Sequence, residues 1–194
     1  MAIERETRSF SGAEMRADGG AVKVSGYAAV FNEVTDIGGY YREVIKPGAF
    51  TEALGRDDVV FLINHDGLPL ARTRSGTLKL TEDAKGLFME AELDAEDPDV
   101  KSIVPKMKRG DLDKMSFAFW PDKQTWDDNV HPPLRSIEKL RLHDVSIVTT
   151  PAYDGTDIGL RSLQEFRAKA QETLSAGVNA VRRRMKGKLA RFLG

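Results

Sequence analysis

Cysteine is absent from all 194 residues. That excludes disulfides, a thiolate nucleophile and thiolate metal ligands together. Histidine is scarce, with three in the chain. Neither the histidines nor the acids show the short spacing of a zinc site, so no metal and no cofactor are expected. No apolar run approaches the roughly 20 residues of a membrane span. The start, Met1-Ala2-Ile3-Glu4-Arg5, lacks the apolar core of a signal peptide. There is no glycine-rich loop of the kind that cradles phosphates.

What is present is an ordinary soluble composition, 41% hydrophobic and 30% charged, long enough for one domain with a real core and a small appendage. The net charge of −1 hides an asymmetry. Residues 160–194 carry nine Lys/Arg against Glu165 and Glu172, a net of +7, which leaves −8 for the rest. We therefore expect a body over 1–159 and a basic helical tail over 160–194, with different partners.

Residues 1–20 read as a loose start or an edge strand. Residues 21–31 read as a strand with a bulge at Gly26. An extended piece spans Tyr40 to Ile45, and Pro47 to Leu54 looks like a short helix closed by Gly55. Residues 58–64 are strongly apolar on both faces, as in a central strand. Residues 76–81 and 86–93 alternate in polarity around Glu82-Asp83-Ala84-Lys85-Gly86, a hairpin signal. Asp97-Pro98 opens a helix that Gly110 ends, with a kink or early stop expected at Pro105. A strand over 114–120, a polar loop over 121–133 and a long strand or strand pair over 135–150 follow. Residues 160–174 and 177–192 read as two helices. Many strands with few helices between them favour a mainly β fold with flanking helices (α+β), an antiparallel barrel rather than a doubly wound sheet.

Three polar residues interrupt the apolar strands. His65 ends Val59-Val60-Phe61-Leu62-Ile63-Asn64, Ser116 lies inside Met115-Ser116-Phe117-Ala118-Phe119, and Asp144 lies inside Leu142-His143-Asp144-Val145-Ser146. An imidazole, a hydroxyl and a carboxylate are the parts of a base, nucleophile and orienter. Their chain order differs from those of chymotrypsin, subtilisin and the α/β-hydrolases. Strand alternation puts Ser116 opposite the aromatic face of Met115, Phe117 and Phe119, and so towards solvent or a cleft. It also sends His143 and Asp144 in opposite directions. A carboxylate in an apolar strand is costly to bury without a partner, and an imidazole would relieve that cost. That favours Asp144 over His143. His131, beside Pro132-Pro133, reads as surface. Taken singly, each residue also has a plain reading: a serine on a wet strand face, a histidine capping a strand end, an aspartate on a solvated edge.

The order and spacing of several segments resemble the prohead (capsid-maturation) serine proteases of tailed bacteriophages, relatives of the herpesvirus assemblins. The carriers are Gly26-Tyr27-Ala28-Ala29-Val30-Phe31, Gly48-Ala49-Phe50, Leu62-Ile63-Asn64-His65-Asp66, Lys114-Met115-Ser116-Phe117-Ala118-Phe119 and Asp144-Val145-Ser146-Ile147-Val148-Thr149-Thr150-Pro151-Ala152. The resemblance spans about residues 22–163. It implies an assemblin-like, roughly seven-stranded antiparallel β-barrel and a serine endopeptidase with His65, Ser116 and Asp144 as its catalytic set. An acid at 144 departs from the second histidine of assemblins. The arginine pair that follows that strand in assemblins is missing; Thr149 and Thr150 stand there as the oxyanion support, through backbone N–H groups.

The same resemblance implies a place and partners. The place is the host cytoplasm, inside the immature procapsid. The substrates are the major capsid protein with its scaffold segment and the protease itself, and the oligomer is a homodimer. The basic tail, with an apolar stripe from Val178 to Phe192, suits a tether to the shell. A membrane-surface helix or a nucleic-acid arm fits its composition too, but neither membrane nor nucleic acid is the expected partner. The alternative of another class is a non-catalytic shell or scaffold-binding protein on the same barrel.

Overall fold

The computed structural model describes residues 5–11, 14–18, 21–149 and 156–192. In chain order the elements are β1 (Glu6–Ser11), β2 (Glu14–Asp18), β3 (Ala21–Val30), β4 (Thr35–Ile37), β5 (Tyr41–Ile45), α1 (Thr51–Arg56), β6 (Val60–Ile63) and β7 (Asp66–Arg72). They continue with β8 (Leu78–Glu82), β9 (Gly86–Asp94), α2 (Pro98–Lys108), β10 (Lys114–Asp127), β11 (Leu134–Val148) and α3 (Thr156–Phe192). The chain divides into two compact units, Met1–Thr156 and Asp157–Gly194.

Among the described residues the strands form two sheets. One has seven strands, with β1-β10-β11-β5-β4 in order and β6 and β7 added beside β11; the other has four, β2-β3-β9-β8. The expected seven-stranded antiparallel barrel is thereby corrected to a mainly β fold with mixed sheets and no closed ladder. The pairings of β11 with β5 and with β6 are both parallel. Alternating polarity marks a strand but carries no information about its partner or direction.

β11 is the hub. One edge pairs antiparallel with β10 along its whole length. The other serves two short strands in succession: β5 over Leu134–Ile137 and β6 over Asp144–Ile147. A β-bulge interrupts the β10–β11 ladder, where Ala118 faces Asp144, Phe119 faces Leu142 and His143 is the extra residue. Bulges of this kind re-aim side chains and recur beside active sites. The core packs Phe50, Phe61, Met115, Phe117, Phe119 and Ile147 with their neighbours, all without exposed surface.

Several elements follow from local signals. The β8–β9 hairpin forms where alternation meets a turn, and Asp83 Oδ1 accepts from the Lys85 and Gly86 N–H groups. At Gly86 a Cβ would sit 2.0 Å from the Ala29 carbonyl oxygen, so only glycine fits there. The Asp97 side chain caps α2 by accepting from the Asp99 N–H, and Pro98 follows in the first turn. The helix continues through Pro105 to Lys108 rather than stopping early.

Other expectations are revised. β10 runs to Asp127 where a polar loop was expected; a register shift beside Pro121 accommodates the missing N–H. β7 carries five exposed residues, one of them a proline, the marks of an edge strand, and gives no alternating signal. α1 begins at Thr51 and includes Gly55. The tail forms one helix, not two.

Candidate active site

The site lies where β6, β10 and β11 run side by side. β6 and β7 form a hairpin in which Ile63 pairs with Asp66. Asn64 and His65 are its two loop residues, with φ of 52° and 60°. Two consecutive left-handed residues are the signature of a type I′ turn, which matches the twist of the flanking strands. Asparagine tolerates that conformation; for histidine it stores strain of the kind found at functional positions. Asn64 Oδ1 ties the turn to the end of β11 by accepting from the Thr149 N–H at 3.0 Å.

The turn brings His65 between two strands. Its Nε2 lies 2.7 Å from Ser116 Oγ on β10. Its Nδ1 lies 2.5 Å from Asp144 Oδ1 on β11. Ser116 and Asp144 have no exposed surface, while the His65 side chain keeps 9%. The three residues named from the sequence are thus joined in one hydrogen-bonded line. Sequence parity expected Ser116 on a face open to solvent or a cleft; the structure corrects this. β1 pairs with β10 so that Ser9 faces Ser116, and Ser116 Oγ donates to the Arg8 carbonyl at 2.7 Å. The single hydroxyl proton therefore has two acceptors within reach, the Arg8 carbonyl and His65 Nε2.

The surroundings of Asp144 are charged. Its Oδ2 takes no hydrogen bond and faces the Arg5 guanidinium at 3.5 Å. Its Oδ1 accepts from the Ser146 hydroxyl at 2.7 Å. On the bulge, His143 packs edge-on against Trp120 with ring centroids 5.2 Å apart. Burial holds the His143 imidazole below its ordinary value; Asp144 opposes this, and Arg5 and His65 reinforce it. No group of three or more His or acidic side chains among the described residues could hold a metal ion.

A polar triplet of this kind occurs on many scaffolds. What decides the class here is a family model described as caudovirus prohead serine protease, which matches residues 11–169. The chain belongs to this family. It is a prohead serine protease, an enzyme of phage capsid maturation. The protease is 29% identical over 197 residues to the prohead protease of Enterobacteria phage HK97, across 96% of this chain and 83% of that one. Its fold resembles the solved structure of the bacteriophage T4 capsid assembly protease, gp21. The TM-score is 0.52 at 11% identity, over 76% of this chain and 99% of the other.

Of the two residues named as oxyanion support, Thr150 lies outside the described residues. The Thr149 N–H and hydroxyl are both directed to Asn64 Oδ1, the hydroxyl at 3.3 Å. In this arrangement the Thr149 N–H is committed to the turn. His131 is exposed. Sequence reading passed over Arg5, the Arg8 carbonyl and Ser146. For Ser146 a signal existed: it stands two residues after Asp144 on one strand, and so on the same face. For β1 none did, because a backbone carbonyl has no sequence signature.

Proposed function

We propose that this prohead protease cleaves peptide bonds with Ser116 as nucleophile, His65 as general base and Asp144 as the group that orients the imidazole. The observation that carries the reading is the continuous line Asp144 Oδ1–His65 Nδ1–His65 Nε2–Ser116 Oγ, with links of 2.5 and 2.7 Å. His65 takes the Ser116 proton as Oγ attacks the carbonyl carbon of the scissile bond. Asp144 holds the Nδ1–H tautomer and stabilises the imidazolium that forms. His65 then returns the proton to the leaving amine, and water releases the acyl group by the same route reversed. A positioned base supplies about 10²–10⁴ in rate. Backbone N–H groups supply the oxyanion donors, worth about 10²–10³ for each donor.

A nucleophile without exposed surface cannot meet a substrate carbonyl. The described arrangement is a resting one, in which the Arg8 carbonyl competes with His65 for the hydroxyl proton. Access follows a local movement within the assembling shell. The substrates are the major capsid protein with its scaffold segment and the protease itself, and the protease works as a homodimer in the procapsid. The test is active-site labelling. A fluorophosphonate added to protease co-assembled with its capsid precursor is expected to modify Ser116, read by peptide mass spectrometry. Full cleavage activity with the adduct on another residue would overturn the assignment.

Residues 160–194 form the basic tail that recruits the enzyme to the shell. They fall almost wholly within α3, whose Leu174 and Val178 are exposed at 66% and 56%. Removing residues after Ala170 is expected to leave cleavage of a short peptide within about twofold while reducing co-sedimentation with proheads. Undiminished co-sedimentation would remove the tether role.

A further inference from the structure

Ser146 is fully buried on β11, opposite Ser116 in the β10–β11 ladder. Its hydroxyl donates to Asp144 Oδ1 at 2.7 Å, the same oxygen that faces His65 Nδ1 at 2.5 Å. Ser146 Oγ also lies 3.2 Å from His65 Nδ1 and accepts from the His65 backbone N–H at 3.3 Å. One hydroxyl thus touches the carboxylate, the imidazole and the backbone of the strained turn that presents the imidazole.

We infer that Ser146 is a positioning residue for the protease reaction, the fourth member of the site, which locks Asp144 Oδ1 onto His65 Nδ1. The inference rests on the catalytic reading of His65, Ser116 and Asp144 proposed above. An aspartate carboxylate turns about a broad, roughly twofold torsion, so either oxygen can be presented to a partner. Oδ2 has no hydrogen bond to hold it back, and the Arg5 guanidinium lies 3.5 Å away as a competing attraction. With only His65 on Oδ1, the carboxylate is free to swing towards Arg5. The Ser146 donor removes that freedom from a position fixed by the ladder. The bond to the His65 N–H does the same for the turn, beside the Asn64 N–H that donates to the Ile147 carbonyl at 2.9 Å. A plain packing role does not account for the three contacts, because alanine would fill nearly the same space.

The charged and titratable groups around Asp144 are His65 from the β6–β7 turn, Arg5 from the segment before β1, and His143 from the bulge on β11 itself. None of the other three contacts both Asp144 Oδ1 and the turn backbone.

The experiment compares the parent with Ser146→Ala and Ser146→Thr, reading kcat and KM on a peptide substrate under conditions where the parent is active. Ser146→Ala is expected to lower kcat by about 10- to 100-fold, the cost of a misplaced reacting group, with KM within about twofold. Ser146→Thr keeps the hydroxyl and is expected to recover most of kcat. Parental kcat in Ser146→Ala would overturn the inference. So would equal losses in both variants, which would mark a packing effect. Ser116→Ala assayed alongside separates the two readings. An active Ser116→Ala removes the catalytic site itself, whereas an inactive Ser116→Ala beside a parental Ser146→Ala removes only the role of Ser146.

Discussion

Ser116→Ala is expected to lower cleavage of the capsid precursor by at least about 10⁴-fold, the scale of losing a serine nucleophile. The substitution removes one oxygen and little volume from a fully buried position on β10. The hydroxyl's hydrogen bond goes with it, the one shared between the Arg8 carbonyl and His65 Nε2. Lost bonds of this type cost about 0.5–1.5 kcal/mol each, so the melting temperature should fall by only a few degrees. The fold and the chemistry are thereby separable in one protein. Mass spectrometry of the capsid subunit before and after maturation reads the result. His65→Ala should show a loss of the same order, and the double variant should be no slower than either single one, because the two groups act as a unit. A Ser116→Ala protease that trims the precursor at the parent's rate would end the serine mechanism.

The second large effect concerns stability. Glu6, Arg8, Glu43 and Arg135 form a buried network of two cations and two anions. Arg8 Nε donates to Glu43 Oε1 at 2.6 Å and Arg8 Nη2 to Glu6 Oε2 at 2.8 Å. Arg135 Nη1 donates to Glu6 Oε2 at 2.6 Å and to Glu43 Oε2 at 2.9 Å. Its Nε reaches Gln124 Oε1 at 2.6 Å. The network joins β1, β5, β10 and β11, and so sets where β1 lies against Ser116. Arg135→Met would leave two buried carboxylates with one guanidinium between them. Breaking such a set costs about 3–5 kcal/mol, a fall of roughly 6–20 °C in melting temperature for a chain of this size. Replacing all four residues by well-packed apolar ones should cost far less, because no charge is then stranded. A melting temperature unchanged in Arg135→Met would show that the network contributes nothing to the fold.

The same network sets an acid limit. Burial pushes the Glu43 carboxyl up, but Arg8 and Arg135 outweigh it and hold the group below the ordinary glutamate value of 4.5. A carboxyl depressed on folding contributes stability that is present above its unfolded value and is lost as pH falls through the folded one. The parent should therefore lose this contribution only below about pH 4.5. In Arg135→Met the restraint on Glu43 is weaker, and acid unfolding should begin at higher pH.

Much of the architecture is legible where the signal is local. The β8–β9 hairpin announces itself through alternation on both arms and turn residues between them. α2 is marked by Asp97-Pro98 at one end and Gly110 at the other. β7 and the second half of β10 are not legible, because edge strands with one wet face and a proline look like loops. The parallel pairings of β11 with β5 and β6 are invisible too, since the residues that pair are chosen by the sheet and not by their neighbours in the chain. In the site, the types and order of His65, Ser116 and Asp144 stand out because each is a polar break in an apolar run. The Arg8 carbonyl and the Arg5 guanidinium do not stand out, coming from a polar segment more than a hundred residues from Ser116 and Asp144.

By itself the sequence determined what chemistry is available: no thiol, no zinc spacing, one imidazole at a strand end, one hydroxyl and one carboxylate within apolar strands, and a basic tail. Tertiary structure alone decided that Ser116 is covered, that β1 lies on it, and that Ser146 shares an oxygen with His65. Periodicity acts over neighbouring residues, whereas the separations that matter here are 51 residues from His65 to Ser116 and 79 from His65 to Asp144. Distances across such gaps are set by strand pairing and by the charges buried between strands.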